Sequence, residues 1–81
     1  MRIRVRFFSY FRDLASCDEA LAERPEGQRV SDLLDWVGRQ HPPLAQARHC
    51  TLIAVGLDYA PPDHQLRDGD EVSLFPPVQG G

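Results

Sequence analysis

The amino-acid sequence predicts an α+β fold in which a mixed sheet is packed on one face by a single main helix. Three stretches carry that expectation. Ile3, Val5 and Phe7 alternate with Arg2, Arg4 and Arg6, the period-two pattern of a half-buried strand. Val30, Leu33, Leu34 and Val37 recur at the spacing that gathers apolar side chains on one side of a helix. Glu71 to Phe75 follows a strong turn signal, Asp68-Gly69-Asp70, and reads as a closing strand with Val72 and Leu74 set against Ser73 and Phe75.

The elements follow in order. The opening strand is expected over Met1 to Phe8, held inside a sheet because a free terminal strand would fray. Ser9 to Ser16 fits a short helix, with Ser9 as its cap and Phe11, Leu14 and Ala15 on one side. Cys17 to Arg24 sets Ala20 and Ala22 among Asp18, Glu19 and Glu23, which suits an edge strand where charge is common; Pro25-Glu26-Gly27 ends it as a turn. The main helix spans Val30 to Gln40. Asp32 and Asp35 near its start and Arg39 near its end suit the helix dipole, Gly38 weakens the last turn, and Pro42-Pro43 stops it. Trp36 belongs at the edge of the apolar stripe. Thr51 to Val55 is apolar without alternation and reads as an interior strand. Gly56-Leu57-Asp58 connects it to a short return strand at Tyr59-Ala60, which Pro61-Pro62 terminates. Asp63 to Leu66 forms a turn or a single helical turn. The order is strand, strand, helix, strand, short strand, strand. This is the layout of a β-grasp fold, one of the α+β topologies that the order permits, with the first and last strands as parallel central neighbours and the C-terminus leaving the sheet opposite the N-terminus.

At 81 residues the chain holds one domain, 1–81, with a modest core. A cleft enclosed by this chain alone would be small, so chemistry would use a surface or a partner's pocket. The net charge of −3 gives no clustered positive field for nucleic acid. Arg2, Arg4 and Arg6 share one strand face and read as its solvated side. All nine basic residues are arginine, so no side-chain amine is present to accept an acyl group. Cys17 and Cys50 lack C-x-x-C spacing and fit a reduced, cytoplasmic setting. No apolar run approaches the ~18–20 residues that span a membrane. His41, His49 and His64 have no ligand spacing, and Asp68 and Asp70 flank a turn glycine without the other ligands of a calcium loop. No metal site and no self-contained enzyme is expected.

The last stretch, Phe75-Pro76-Pro77-Val78-Gln79-Gly80-Gly81, points to chemistry at the chain's end. Two prolines stiffen the exit and aim a flexible tail, 76–81, away from the body. Val78 continues it, and Gln79 can hydrogen-bond in a groove. Gly80 and Gly81 make a thread that enters channels too narrow for any Cβ. A terminal carboxylate is a poor acyl donor. Joining it to AMP would make a mixed anhydride, from which a sulfur nucleophile could displace AMP and leave a thiocarboxylate. On the residues alone, a glycine pair without a role stays open beside this carrier reading.

The same residues resemble a known family. Phe75-Pro76-Pro77-Val78-Gln79-Gly80-Gly81, preceded by Leu66 and Asp68-Gly69-Asp70-Glu71-Val72, is similar to the C-terminal signature of the small subunit of molybdopterin synthase, the MoaD-type ubiquitin-like sulfur carriers. Ile3-Arg4-Val5-Arg6-Phe7-Phe8, then Phe11-Arg12-Asp13-Leu14, resembles the family's first strand and short helix, and Val30, Leu33 and Leu34 match its main helix. The Asp-Gly-Asp-Glu-Val turn is shared by many ubiquitin-like sulfur carriers, whereas Phe-Pro-Pro-Val is typical of the molybdopterin branch. Where the family often has asparagine after the third strand's valine, this chain has Gly56, a change confined to a turn. The resemblance implies that an activating enzyme uses ATP to adenylate Gly81, with no cofactor bound by the carrier itself. A sulfurtransferase system then supplies sulfur for a Gly81 thiocarboxylate. The tail, Val78 to Gly81, enters the active site of the large subunit and donates sulfur to cyclic pyranopterin monophosphate, within a heterotetramer of two carriers and two large subunits.

Three other readings compete. A related carrier for thiamine or cysteine biosynthesis would share the tail chemistry, a protein modifier would attach Gly81 to other proteins, and a β-grasp binding module would tolerate the loss of Gly81. Phe8, Phe75, Pro76 and Pro77 are the candidate partner-binding residues at the base of the tail. Phe8 puts an apolar ring where the strand pattern calls for a polar one, and Phe75 falls on the face opposite Val72 and Leu74.

Overall fold

The alternation at the start of the chain becomes β1 (Arg2–Phe7), with Ile3, Val5 and Phe7 buried and the three arginines exposed. The structure, a computed structural model, describes residues 1–77; the tail residues Val78, Gln79, Gly80 and Gly81 lie outside the described residues. β1 is followed by α1 (Phe11–Ala15), β2 (Glu19–Glu23), α2 (Val30–Gln40), α3 (Pro42–Gln46) and a short 3₁₀ turn at Arg48–Cys50. The chain then forms β3 (Leu52–Val55), β4 (Asp58–Tyr59) and β5 (Glu71–Phe75).

The five strands lie in the order β2-β1-β5-β3-β4. β1 and β5 run parallel, with Val5 beside Val72 and Phe7 beside Leu74, and β2 forms one edge antiparallel to β1. A parallel pair needs a crossover, and α2 supplies it. Its Val30, Leu33, Leu34 and Val37 are buried and join Ile3, Val5 and Leu74 in the core. This is the mixed-sheet, one-main-helix arrangement expected from the sequence, including the parallel central pair. Parallel neighbours leave a sheet at the same end. Phe8, just after β1, therefore lies beside the end of β5, and its N–H donates to the Leu74 carbonyl at 3.2 Å.

The Asp68-Gly69-Asp70 turn sets the register of that pair. The Arg2 N–H donates to the Asp68 carboxylate at 2.7 Å, and the Arg67 N–H donates to the Asp70 carboxylate at 2.8 Å. The Arg4 N–H reaches the Asp70 carbonyl at 3.0 Å. Gly69 takes φ of 87°, a conformation that a side chain disfavours. The turn is thus stitched to the first residues of β1 before β5 begins. Gly56, with φ of 63°, turns the chain from β3 into β4; glycine and asparagine are the residues that tolerate this left-handed backbone.

Several expectations need correction. Ser9 is not the cap of α1: Tyr10 stands at that position, and Ser9 takes φ of 55° to turn the chain sharply out of β1. The short return strand is Asp58–Tyr59, not Tyr59-Ala60. Of the two readings of Asp63 to Leu66 the turn holds and the helical turn does not: Pro62 and Asp63 form a turn, Gln65 bridges to Arg29, and Leu66 is buried. Pro42-Pro43 ends α2 and also opens α3, because the first turn of a helix needs no N–H partner and proline's φ is preset for it. Arg48 then ties the 3₁₀ turn back to α2 by pairing with Asp35 and donating to the Ser31 carbonyl at 3.1 Å.

Gly38 has a role that propensity alone does not show. A Cβ built there would stand 3.0 Å from the Cβ of Ala45, so the missing side chain lets α3 close onto α2. Gly38→Val is expected to destabilise the fold by about 1–3 kcal/mol through overpacking. That corresponds to a Tm lower by roughly 4–8 °C per kcal/mol for a domain of this size. An unchanged Tm would mean that α3 yields at no cost.

Candidate functional site

The helices cover one face of the sheet and leave the other open. On that open face the outward series of β1 runs Arg2, Arg4, Arg6 and then Phe8. Arg2, Arg4 and Arg6 form the solvated side anticipated from the sequence. They pair with Glu23 at 3.9 Å, Glu19 at 4.0 Å and Glu71 at 3.4 Å. Exposed pairs of this kind contribute ~0–1 kcal/mol each, so they keep that half of the face hydrated more than they hold it together.

The half nearer the end of β5 is different in kind. Phe8 and Phe75 stack with ring centroids 4.6 Å apart and planes 18° from parallel. Neither ring belongs to the hydrophobic core beneath the sheet. Each is half-buried, because the stack covers one face of each ring. Leu52 stands directly opposite Phe75 across the β3–β5 ladder, and Ala54 stands between Ser73 and Tyr59. Tyr59 is 76% exposed. Pro76 and Pro77 leave β5 immediately beside this patch and are half-buried. The result is an apolar area around the Phe8–Phe75 stack at the point where the chain departs the sheet.

Of the residues singled out in the sequence, the fold therefore brings Phe8, Phe75, Pro76 and Pro77 together. The candidate tail residues Val78, Gln79, Gly80 and Gly81 are outside the described residues. Sequence reasoning missed Leu52 and Tyr59. Their run shows no alternation, and only pairing with β5 and β3 reveals which face they occupy. A tyrosine next to a turn, in a strand too short to be buried on both sides, was the available signal.

Other chemically capable groups are accounted for by local structure. Cys17 and Cys50 are free and half-buried, and the Cys50 thiol donates to the Ala47 carbonyl at 3.2 Å. His41 joins α2 to α3, with its ring edge-on to Phe7 at 5.5 Å. Among the described residues no three His, Cys, Asp or Glu side chains gather as a metal site. A depression lined by Ser9, Arg12, Asp13, Ser16, Cys17 and Asp18 lies open to solvent. No helix among the described residues is long and apolar enough to cross a membrane. What the arrangement offers is an apolar face next to the point where the chain leaves β5.

Comparison with known proteins bears on what that end does. The ThiS family model matches residues 5–81. The "Molybdopterin synthase sulfur carrier subunit" of Chlamydomonas reinhardtii is 34% identical over 83 residues, covering 100% of both chains. Among solved structures, the protein described as "Putative molybdopterin converting factor, subunit 1" from Pyrococcus furiosus superposes with a TM-score of 0.89 at 36% identity. The match covers 96% of this chain and 99% of that one. The fold is also that of a chain in the "Protein-protein complex of subunit 1 and 2 of Molybdopterin-converting factor" from Helicobacter pylori. There the TM-score is 0.71 at 24% identity, with 100% of both chains covered.

Proposed function

This chain belongs to the ThiS family, and from that premise we propose that it is the sulfur-carrier subunit of molybdopterin synthase, working in the cytoplasm. The observation that carries the proposal is the parallel pairing of β1 with β5, which puts the Phe8–Phe75 face at the same end of the sheet as the outgoing tail. A partner seated on that face would have the tail within reach of its own pocket. The four residues after Pro77 can span at most about 14 Å. The naming of full-length relatives as molybdopterin synthase carriers supports this branch over carriers for thiamine or cysteine synthesis.

The chemistry follows from the chain end. The Gly81 carboxylate attacks the α-phosphorus of ATP on an activating enzyme, pyrophosphate leaves, and an acyl-adenylate forms. Hydrosulfide, released from a sulfurtransferase persulfide by a thiol reductant, attacks the carbonyl carbon and AMP departs, leaving the thiocarboxylate. The charged carrier docks through Phe8, Phe75, Pro76 and Pro77 on the large subunit, in a heterotetramer of two carriers and two large subunits. Val78, Gln79 and Gly80 insert with the tail into that subunit's active site, where cyclic pyranopterin monophosphate accepts the sulfur. Gly80 and Gly81 present no side chain to the passage. The side chains that move protons belong to the large subunit.

The test is reconstitution. Thiocarboxylated chain with large subunit and pterin precursor is expected to yield the dithiolene product. Uncharged chain with precursor is expected to yield none. Dithiolene formed by the uncharged chain alone would overturn the carrier role.

A further inference from the structure

The three arginines of β1 look equivalent in sequence and are not equivalent in the fold. Arg2 and Arg4 turn toward β2, where they meet Glu23 and Glu19. Arg6 lies opposite Glu19 in the β1–β2 register, yet it turns the other way. Its guanidinium donates to the Glu71 carboxylate at 3.4 Å and sits 5.4 Å from the centroid of the Phe8 ring. Phe8 in turn stacks on Phe75, the last residue before Pro76. Glu71, Arg6, Phe8 and Phe75 thus form one connected row on the open face, running from the first to the last residue of β5.

We propose that Arg6 is a positioning residue for the docking face: held by Glu71, it fixes the Phe8 ring and, through the stack, the ring of Phe75 at the base of the tail. The physical case has two parts. A guanidinium over a ring face is attracted by the ring's quadrupole, and within ~6 Å that attraction is effective. A ring that is half-buried on an open face has few packing neighbours to hold its rotamer, so a single cation and a single stacked ring decide its orientation. Ordering the pair before the partner arrives lowers the ordering cost of binding. Glu71 keeps Arg6 from swinging to Glu19, and so directs the guanidinium toward the tail end of the face.

The inference rests on the sulfur-carrier reading only for its functional consequence, and the experiment separates the two. Arg6→Met keeps the apolar stem and removes the cation; Arg6→Lys restores a cation; Phe8→Leu removes the ring through which Arg6 acts. The first readout is nuclear magnetic resonance of the isolated chain. Arg6→Met is expected to weaken the ring-to-ring contacts between Phe8 and Phe75 and reduce their ring-current shifts, with Arg6→Lys recovering part of both. The second readout is sulfur transfer to the large subunit. Arg6→Met is expected to raise KM for the charged chain about three- to tenfold with kcat unchanged, and to have no further effect in the Phe8→Leu background. Unaltered ring contacts in Arg6→Met would overturn the proposal. So would independent, multiplying effects of Arg6→Met and Phe8→Leu, which would mean that Arg6 touches the partner directly. If the thiocarboxylated parent chain, with no substitution, transfers no sulfur, the sulfur-carrier reading fails and the ring contacts alone decide the role of Arg6.

Discussion

Deleting Gly81 is expected to abolish sulfur transfer while leaving the domain folded. The proposed reacting carbon is the carboxyl of that residue, so the deletion withdraws it by ~3.3–3.6 Å along an extended chain. A misplacement of even ~1 Å can cost about a hundredfold in rate. The core, the sheet and the apolar face around Phe8 and Phe75 are all built from residues up to Pro77, so nothing in the described fold depends on Gly81. The two effects are read separately. Tm and affinity for the large subunit should stay close to those of the intact chain, and product formation should vanish. A bulky residue at Gly80 should impair transfer severely by a second route, because a side chain obstructs a glycine-sized passage. Cys17→Ala with Cys50→Ala should leave transfer nearly intact. Retained sulfur transfer in the Gly81 deletion would overturn the Gly81 carboxylate as the carrying group.

Phe75→Arg is the second large effect expected. Phe75 stacks on Phe8 and faces Leu52 outside the core, so its loss removes the centre of the apolar patch and not the packing beneath the sheet. Truncation of a central aromatic at an interface commonly costs ~2 kcal/mol or more, which is about thirtyfold in Kd. The arginine adds a charge that docking would have to desolvate. Calorimetric titration against the large subunit should show that weakening, with the circular-dichroism spectrum and Tm little changed. Unchanged affinity would remove Phe75 from the interface. A collapsed spectrum would assign it to the core.

Much of this architecture was legible because strong periodicity and strong punctuation coincide. The helix Val30–Gln40 was readable to the residue, since an unbroken apolar stripe runs into Pro42-Pro43. The closing strand was equally plain behind Asp68-Gly69-Asp70. α3 was not legible, because a diproline stops one helix and starts another by the same fixed φ, and only tertiary packing of Ala45 against Gly38 shows that both happen. The direction of Phe8 and Phe75 followed from the period of two, but their contact did not, since it depends on a parallel register between residues 67 apart in sequence. Leu52 and Tyr59 were hidden for the same reason. The division of labour among Arg2, Arg4 and Arg6 is likewise a property of the neighbours that each strand position receives.

The central claim is that the terminal carboxylate, and no cysteine, carries the sulfur. Intact-protein mass spectrometry tests it most directly, after the chain is mixed with its activating enzyme, ATP and a sulfur source. The expected product is the full chain with one oxygen replaced by one sulfur, and fragmentation should place the replacement on Gly81. Sulfur added to Cys17 or Cys50 as a persulfide, with Gly81 unmodified, would contradict the account and make the protein a different kind of sulfur relay.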